Sequence, residues 1–183
     1  KYSAADTPGG AGTFGGGNTG VDLMQLFIAP TYSRKVSSNV SVGVSAILAY
    51  QRFKALGLSN FGITDDSYDY SFGMGAKIGI LADVSDSLTL GASYQSKIYM
   101  SKFDKYKGLF AEQGDFDIPA NFTLGLAFKA TRDVTFTADV QRILYSDIAA
   151  ISNTFFSPGA LGDDNGPGFG WDDMTVYKLG AQW

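Results

Sequence analysis

Two stretches of the chain concentrate apolar and aromatic side chains where a connecting loop would be polar. Residues 53–63 read FKALGLSNFGI and carry Phe53, Leu56, Leu58, Phe61 and Ile63. Residues 103–110 read FDKYKGLF and carry Phe103, Tyr106, Leu109 and Phe110. Loops run over the surface and ordinarily present polar groups to water. Exposed apolar loops serve capture of an apolar ligand at a pocket mouth, or pack on each other as a plug-like cap. Both readings stay open on sequence. Lys97 and Tyr99, just ahead of the second stretch, are grouped with these residues as candidate ligand contacts.

Bond-making chemistry has little to work with. The chain has no His and no Cys, so the usual proton shuttle, the commonest metal ligand and any thiolate are missing. No familiar nucleophile triad can be assembled, and no spacing promotes a paired-carboxylate site. Gly10-Ala11-Gly12-Thr13-Phe14-Gly15 matches a dinucleotide pattern, but it follows no strand and opens no helix. Asp163-Asp164-Asn165-Gly166 offers oxygen ligands without the rest of a calcium loop, and reads as a solvated turn. The expectation is a non-enzyme without cofactor or metal. A net charge of −4 and a pI of about 4.6 argue against a nucleic-acid partner.

The elements that must hold those loops have a period of two. Val134, Phe136, Ala138 and Val140 alternate with Thr135, Thr137, Asp139 and Gln141. Phe122, Leu124, Leu126 and Phe128 alternate with Thr123, Gly125, Ala127 and Lys129. The same holds from Val40 to Leu48, from Ser71 to Ile80 and from Leu88 to Gln95, with weaker runs over 23–34 and 174–183. Strict alternation marks strands with one apolar and one polar face. Several runs exceed the usual soluble strand and approach the 9–11 residues, roughly, of a tilted membrane-spanning strand. No stretch is apolar enough for a transmembrane helix, and mean hydropathy is only +0.01. A membrane barrel hides from such an average because alternate residues face its lumen.

The connections alternate too. Short polar turns at 34–39, 83–87 and 130–133 separate long connections at about 53–68, 103–116 and 146–172. Outer-membrane barrels keep short turns on the periplasmic side and long loops outside. Tyr32, Tyr50, Tyr94, Tyr177 and Trp183 are placed on the outer face near strand ends, as in interfacial aromatic girdles. Lys77, Lys97, Lys129 and Lys178 fall on the lumen face, facing acids such as Asp139 or a ligand carboxylate. The predicted fold class is all-β: an antiparallel transmembrane β-barrel, with about seven strands of a larger barrel over 21–183. A Gly-rich loop is expected over 1–20.

Longer phrases resemble one family. GVDLMQLFIAPTY at 20–32, GVSAILAYQRF at 43–53 and GASYQSKIYMSKFDKYKGLFAEQGDFDIPAN at 91–121 are similar to FadL/TodX outer-membrane proteins. So are ADVQRILYSDI at 138–148 and GPGFGWDDMTVYKLGAQW at 166–183. The resemblance implies a barrel of roughly fourteen strands in the outer membrane of a Gram-negative bacterium. It implies passive uptake of long-chain fatty acids or aromatic hydrocarbons, caught between external loops at the places of 53–68 and 103–116. A non-transporting binding or structural barrel is the alternative. The implied partners are a hydrophobic small-molecule ligand, membrane lipid or detergent, and the remaining strands and plug of a longer chain. About seven strands would leave open edges. No secretion signal is visible, so the sequence is expected to be processed or incomplete.

Overall fold

The computed structural model describes residues 2–4, 19–63 and 67–183. Most of the Gly-rich stretch expected over 1–20 therefore lies outside the described residues. Its two ends are paired in strands rather than looped: β1 (Tyr2–Ala4) lies antiparallel to the start of β2 (Thr19–Ile28).

The chain then runs through β3 (Thr31–Lys35), β4 (Val40–Leu56), β5 (Asp69–Asp83), β6 (Leu88–Gln95) and β7 (Tyr99–Met100). It continues with β8 (Asn121–Lys129), β9 (Thr135–Ile143) and β10 (Met174–Gln182). All pairings are antiparallel, in the spatial order β1-β2-β4-β5-β6-β8-β9-β10. Two strands of the wall are made of two segments each. Ile28 faces Leu48 and Thr31 faces Ser45, so β2 and β3 keep one register across Ala29-Pro30. Pro30 merely interrupts the ladder, having no N–H to donate. The predicted strand over 23–34 is this interrupted pair.

The second interruption shifts register. Lys77 faces Gln95, but Met74 faces Tyr99. Three steps along β5 match four along its neighbour, which is a one-residue bulge at Ser96–Ile98. Glycine on β5 admits it. A Cβ on Gly75 would sit 2.9 Å from Ile98 Cγ1, and one on Gly73 would collide with the Met100 sulfur. The bulge turns Ile98 inward, where it is fully buried and bridges to Ile118. Residues 101–118 are thereby delivered to the concave side of the sheet.

The three short turns share one geometry. The N–H groups of Val36, Val84 and Ala130 donate to the carbonyls of Val40, Leu88 and Val134 at 2.9, 2.8 and 2.9 Å. The long connections all lie at the opposite end, as the alternation of short and long connections predicts.

The two faces differ as the alternation requires. Val44, Leu48, Ile78, Ile80, Leu90, Leu124, Leu126 and Phe136 stand exposed on the convex face. At the long-loop end this belt finishes in rings: Tyr50 lies 6.1 Å from Tyr70 and 5.2 Å from Phe72. One step beyond, polarity changes abruptly. Arg52 stacks 4.2 Å over Tyr68, whose hydroxyl donates to Asp22 at 2.9 Å. An apolar band edged by aromatics and then by charges is the profile of a wall meeting headgroups. Tyr32 and Tyr94 are exposed on this face near strand ends, whereas Tyr177 faces Val140 nearer the middle of β10. β4 has 17 residues and β5 has 15, so both project well past a band that about 9–11 tilted residues can cross.

Candidate ligand-binding site

The concave face carries a packed roof, an aromatic chamber below it and a trough of mixed lining toward the short turns. The roof starts from the end of β4. Phe53 and Leu56, placed by sequence in a loop, belong to the end of the extended strand β4, where Phe53 and Ala55 face inward and Leu56 is the last outward residue. The Phe53 ring lies 5.8, 4.8 and 5.0 Å from the rings of Phe103, Tyr106 and Phe110. Ile63 is buried in the same cluster, with Leu58 and Leu109 packed against it. Leu56 is half-buried. The side chain of Phe61 lies outside the described residues.

Two kinds of bond pin the roof. The Tyr106 hydroxyl, completely buried, accepts from the Ala55 N–H at 3.0 Å and donates to the Ser67 carbonyl at 2.8 Å. This ties the second apolar stretch to both ends of the first. Glu112 and Gln113 have φ of 56° and 58°, a left-handed backbone that costs a non-glycine residue about 1–2 kcal/mol. Their N–H groups donate to the carbonyls of Asp163 and Gly162 at 3.3 and 2.8 Å, so the third long connection holds the turn in place.

Lys97 and Tyr99 stand at the bulge rather than inside the roof. The Lys97 ammonium is 3.3 Å from Asp117 Oδ2, donates to the Asp147 carbonyl at 3.3 Å, and lies 5.4 Å over the Tyr99 ring. It joins the wall to two long connections at once. Tyr99 itself is exposed on the convex face. Asp117 is buried, and its Oδ1 also accepts from the Met100 N–H at 2.6 Å. Asp115 lies beside it. Burial, and then the neighbouring Asp117 carboxylate, push Asp115 up to about 6.

The chamber was not among the sequence candidates. Leu23 and Gln25 from β2, Asn121 from β8 and Ile143 from β9 line a cavity of about 400 Å³ together with the segment 116–119. Tyr145, Ile151, Phe169 and Trp171 of the last long connection complete it. β2 and β9 lie several strands apart, so the sheet curls far enough to bring them to one cavity. The rings of Tyr145 and Phe169 lie 5.6 and 5.9 Å from Trp171. Phe169 and Trp171 remain about half exposed, which leaves the chamber open on one side. The signal for it was present in Phe169-Gly170-Trp171, an aromatic pair close to the start of β10.

The trough of about 540 Å³ toward the short turns is different in character. Lys77, Asp139 and the hydroxyl residues Thr31, Ser33, Ser45, Ser93 and Thr123 line it together with Val42, Ile78, Ile80 and Leu81. Of the predicted lumen lysines, Lys77 lies here, Lys178 faces Asp139 across the β9–β10 ladder, and Lys129 faces Thr135.

Neither a family model nor a curated protein matches the sequence. Solved structures do. The Ralstonia pickettii toluene transporter TbuX matches with a TM-score of 0.61 and 19% identity, over 94% of this chain and 57% of that one. The Pseudomonas putida toluene transporter TodX matches with a TM-score of 0.60 and 18% identity, over 98% and 58%. A Pseudomonas aeruginosa FadL homologue matches with a TM-score of 0.53 and 16% identity, over 90% and 46%. The chain thus spans about half the length of these structures. The antiparallel sheet with seven long wall strands has the fold of part of a FadL/TodX-type outer-membrane barrel.

Proposed function

We propose that this chain forms the capture roof and receiving chamber of an outer-membrane barrel that admits hydrophobic small molecules passively, in a Gram-negative bacterium. The observation that carries the reading is the aromatic chamber lying under an apolar roof, on the concave side of a wall whose convex side is apolar. The similar structures named as toluene transporters support it. Long-chain fatty acids and aromatic hydrocarbons are the two substrate classes that such a route accommodates.

In this reading Phe53, Leu56, Leu58, Phe61, Ile63, Phe103, Tyr106, Leu109 and Phe110 receive the ligand first. Lys97 and Tyr99 fix the edge of the route at the bulge. A closed roof still permits entry. Burying one phenyl ring is worth about 2–3 kcal/mol, so a single ring swings out in roughly 0.6–3% of molecules. A ligand that replaces the lost contacts makes that minor state productive. Movement is downhill, because partition into the chamber and then into lipid needs no coupled reaction.

Among the described residues β10 pairs only with β9, which leaves its outer edge unpaired. A bilayer does not tolerate such an edge, so further strands close the wall in the working protein, with a plug within. The test uses the full-length gene. Cells lacking it should take up toluene or long-chain fatty acid more slowly, and restoring it with Phe110→Asp should restore uptake only in part. Unchanged uptake of both ligands in the deletion strain would favour a barrel that binds without transporting.

A further inference from the structure

Two amide relays end at the chamber, and each is fixed from its far end by a group that has only one polarity. The first begins at the Phe116 carbonyl, which can only accept. Gln51 Nε2 donates to it at 2.9 Å, so Gln51 Oε1 must face the other way. That oxygen accepts from Gln25 Nε2 at 3.2 Å. Gln25 therefore presents its carbonyl oxygen to the chamber, with no protein partner among the described residues. The second relay begins at the Lys178 ammonium, which can only donate. It donates to Gln141 Oε1 at 3.1 Å. Gln141 Nε2 then donates to Asn121 Oδ1 at 3.1 Å, which leaves the Asn121 amide N–H groups for the chamber. Amide orientations are commonly ambiguous, but a relay anchored at a carbonyl or an ammonium has one consistent solution.

The chamber thus offers one acceptor at Gln25 and one donor at Asn121 amid Phe116, Phe169 and Trp171. Its charged lining residue is the Asp117 carboxylate, and the nearby Lys97 ammonium is already engaged by Asp117 and the Asp147 carbonyl. We infer that the chamber prefers a neutral single-ring aromatic bearing a hydroxyl, a group that both donates and accepts, over a plain hydrocarbon and over a carboxylate. This inference rests on the chamber being the ligand site, as proposed above. A hydroxyl has both a donor for Gln25 and an acceptor for Asn121, whereas a methyl group leaves both amides to water. An anion would meet the Asp117 charge, and the raised Asp115 shows that the neighbourhood already resists a second carboxylate.

The experiment is a titration of the full-length protein in detergent, followed by Trp171 emission in a background where Trp183 and every other tryptophan of the full-length protein are replaced by Phe. Phenol should bind about fivefold more tightly than toluene, a ratio set by one net hydrogen bond, and benzoate more weakly than either. Gln25→Leu should reduce phenol affinity about fivefold and leave toluene unchanged, so toluene serves as the control for folding. Lys178→Glu acts at a distance. It reverses the second relay and should weaken phenol alone. Equal affinity for phenol and toluene, or benzoate binding as tightly as phenol, overturns the inference while toluene binding upholds the chamber. A Trp171 signal that responds to none of the three overturns both. If Gln25→Leu loses toluene as well, Lys178→Glu decides, and unchanged phenol affinity there contradicts the relay.

Discussion

The Phe116 ring lies 4.7 Å from the Phe110 ring, and this pair is where roof and chamber meet. Phe110 belongs to the buried roof cluster. Phe116 packs against that cluster and also lines the chamber. Any displacement of Phe110 therefore changes the chamber wall directly. Under the proposed route, a roof that opens at Phe110 also moves one wall of the chamber.

Phe110→Asp separates packing from passage. A carboxylate at a site that is 5% exposed breaks the roof, so ligand uptake should fall several-fold. Phe110→Leu keeps an apolar plug and should cost less than about 1.5 kcal/mol in stability while largely retaining uptake. Uptake assays in cells carrying each variant at equal surface level check this. Equal uptake by the Asp variant and the unmodified protein would remove the roof from the route.

The Asp115–Asp117 neighbourhood gives a pH dependence with a definite sign. Asp115 titrates near 6 in the folded chain, above its ordinary value of 3.8. The folded state then holds a proton that the unfolded state releases between about pH 4 and 6, so stability falls as pH rises through that window. The segment 103–118 should exchange its amide hydrogens more slowly at pH 5 than at pH 7.5, after correction for intrinsic rates. Asp115→Asn should abolish the difference. A difference that persists in Asp115→Asn would assign the effect to another group.

Gln113 holds a left-handed backbone without the freedom of glycine. Gln113→Gly removes that strain at the cost of greater freedom when unfolded, for a net gain of about 0.5–1 kcal/mol. Denaturant unfolding of the refolded chain in detergent measures it. Destabilisation instead would mean that the Gln113 side chain contributes more than its backbone costs.

The two faces of β8 make opposite predictions. Leu124 points to the convex face and Thr123 to the concave one. Leu124→Arg should cost about 2–4 kcal/mol in a bilayer, as at a lipid-facing midplane position, whereas Thr123→Arg should be tolerated. Folding titrations in lipid vesicles read both. Equal costs would contradict the assignment of the faces.

Much of this wall was legible because period-two alternation is a local property. Leu124 and Thr123 differ in type for the same reason that they face different solvents. The short turns were legible for a similar reason, since their polar residues lie between two alternating runs. The ends of strands were less so. Phe53 read as loop because the apolar positions switch phase there, from even numbers up to Tyr50 to odd ones at Phe53 and Ala55, yet its pairing with Asp69 extends β4. The roof residues were found from their composition, but their mutual packing needed the bulge at Ser96–Ile98 to bring 103–110 inward. The chamber was illegible because its walls come from β2, β8, β9 and two connections. No single stretch of sequence shows Gln25 beside Trp171.

The most direct test of the account is photolabelling of the protein in lipid vesicles with a small aromatic ligand carrying a diazirine. The account predicts crosslinks at Phe116, Phe169 and Trp171, suppressed by excess unlabelled ligand. Crosslinks confined to convex residues such as Leu124, Leu126 and Tyr177, and insensitive to competitor, would show partition into surrounding lipid and contradict a chamber on the concave face.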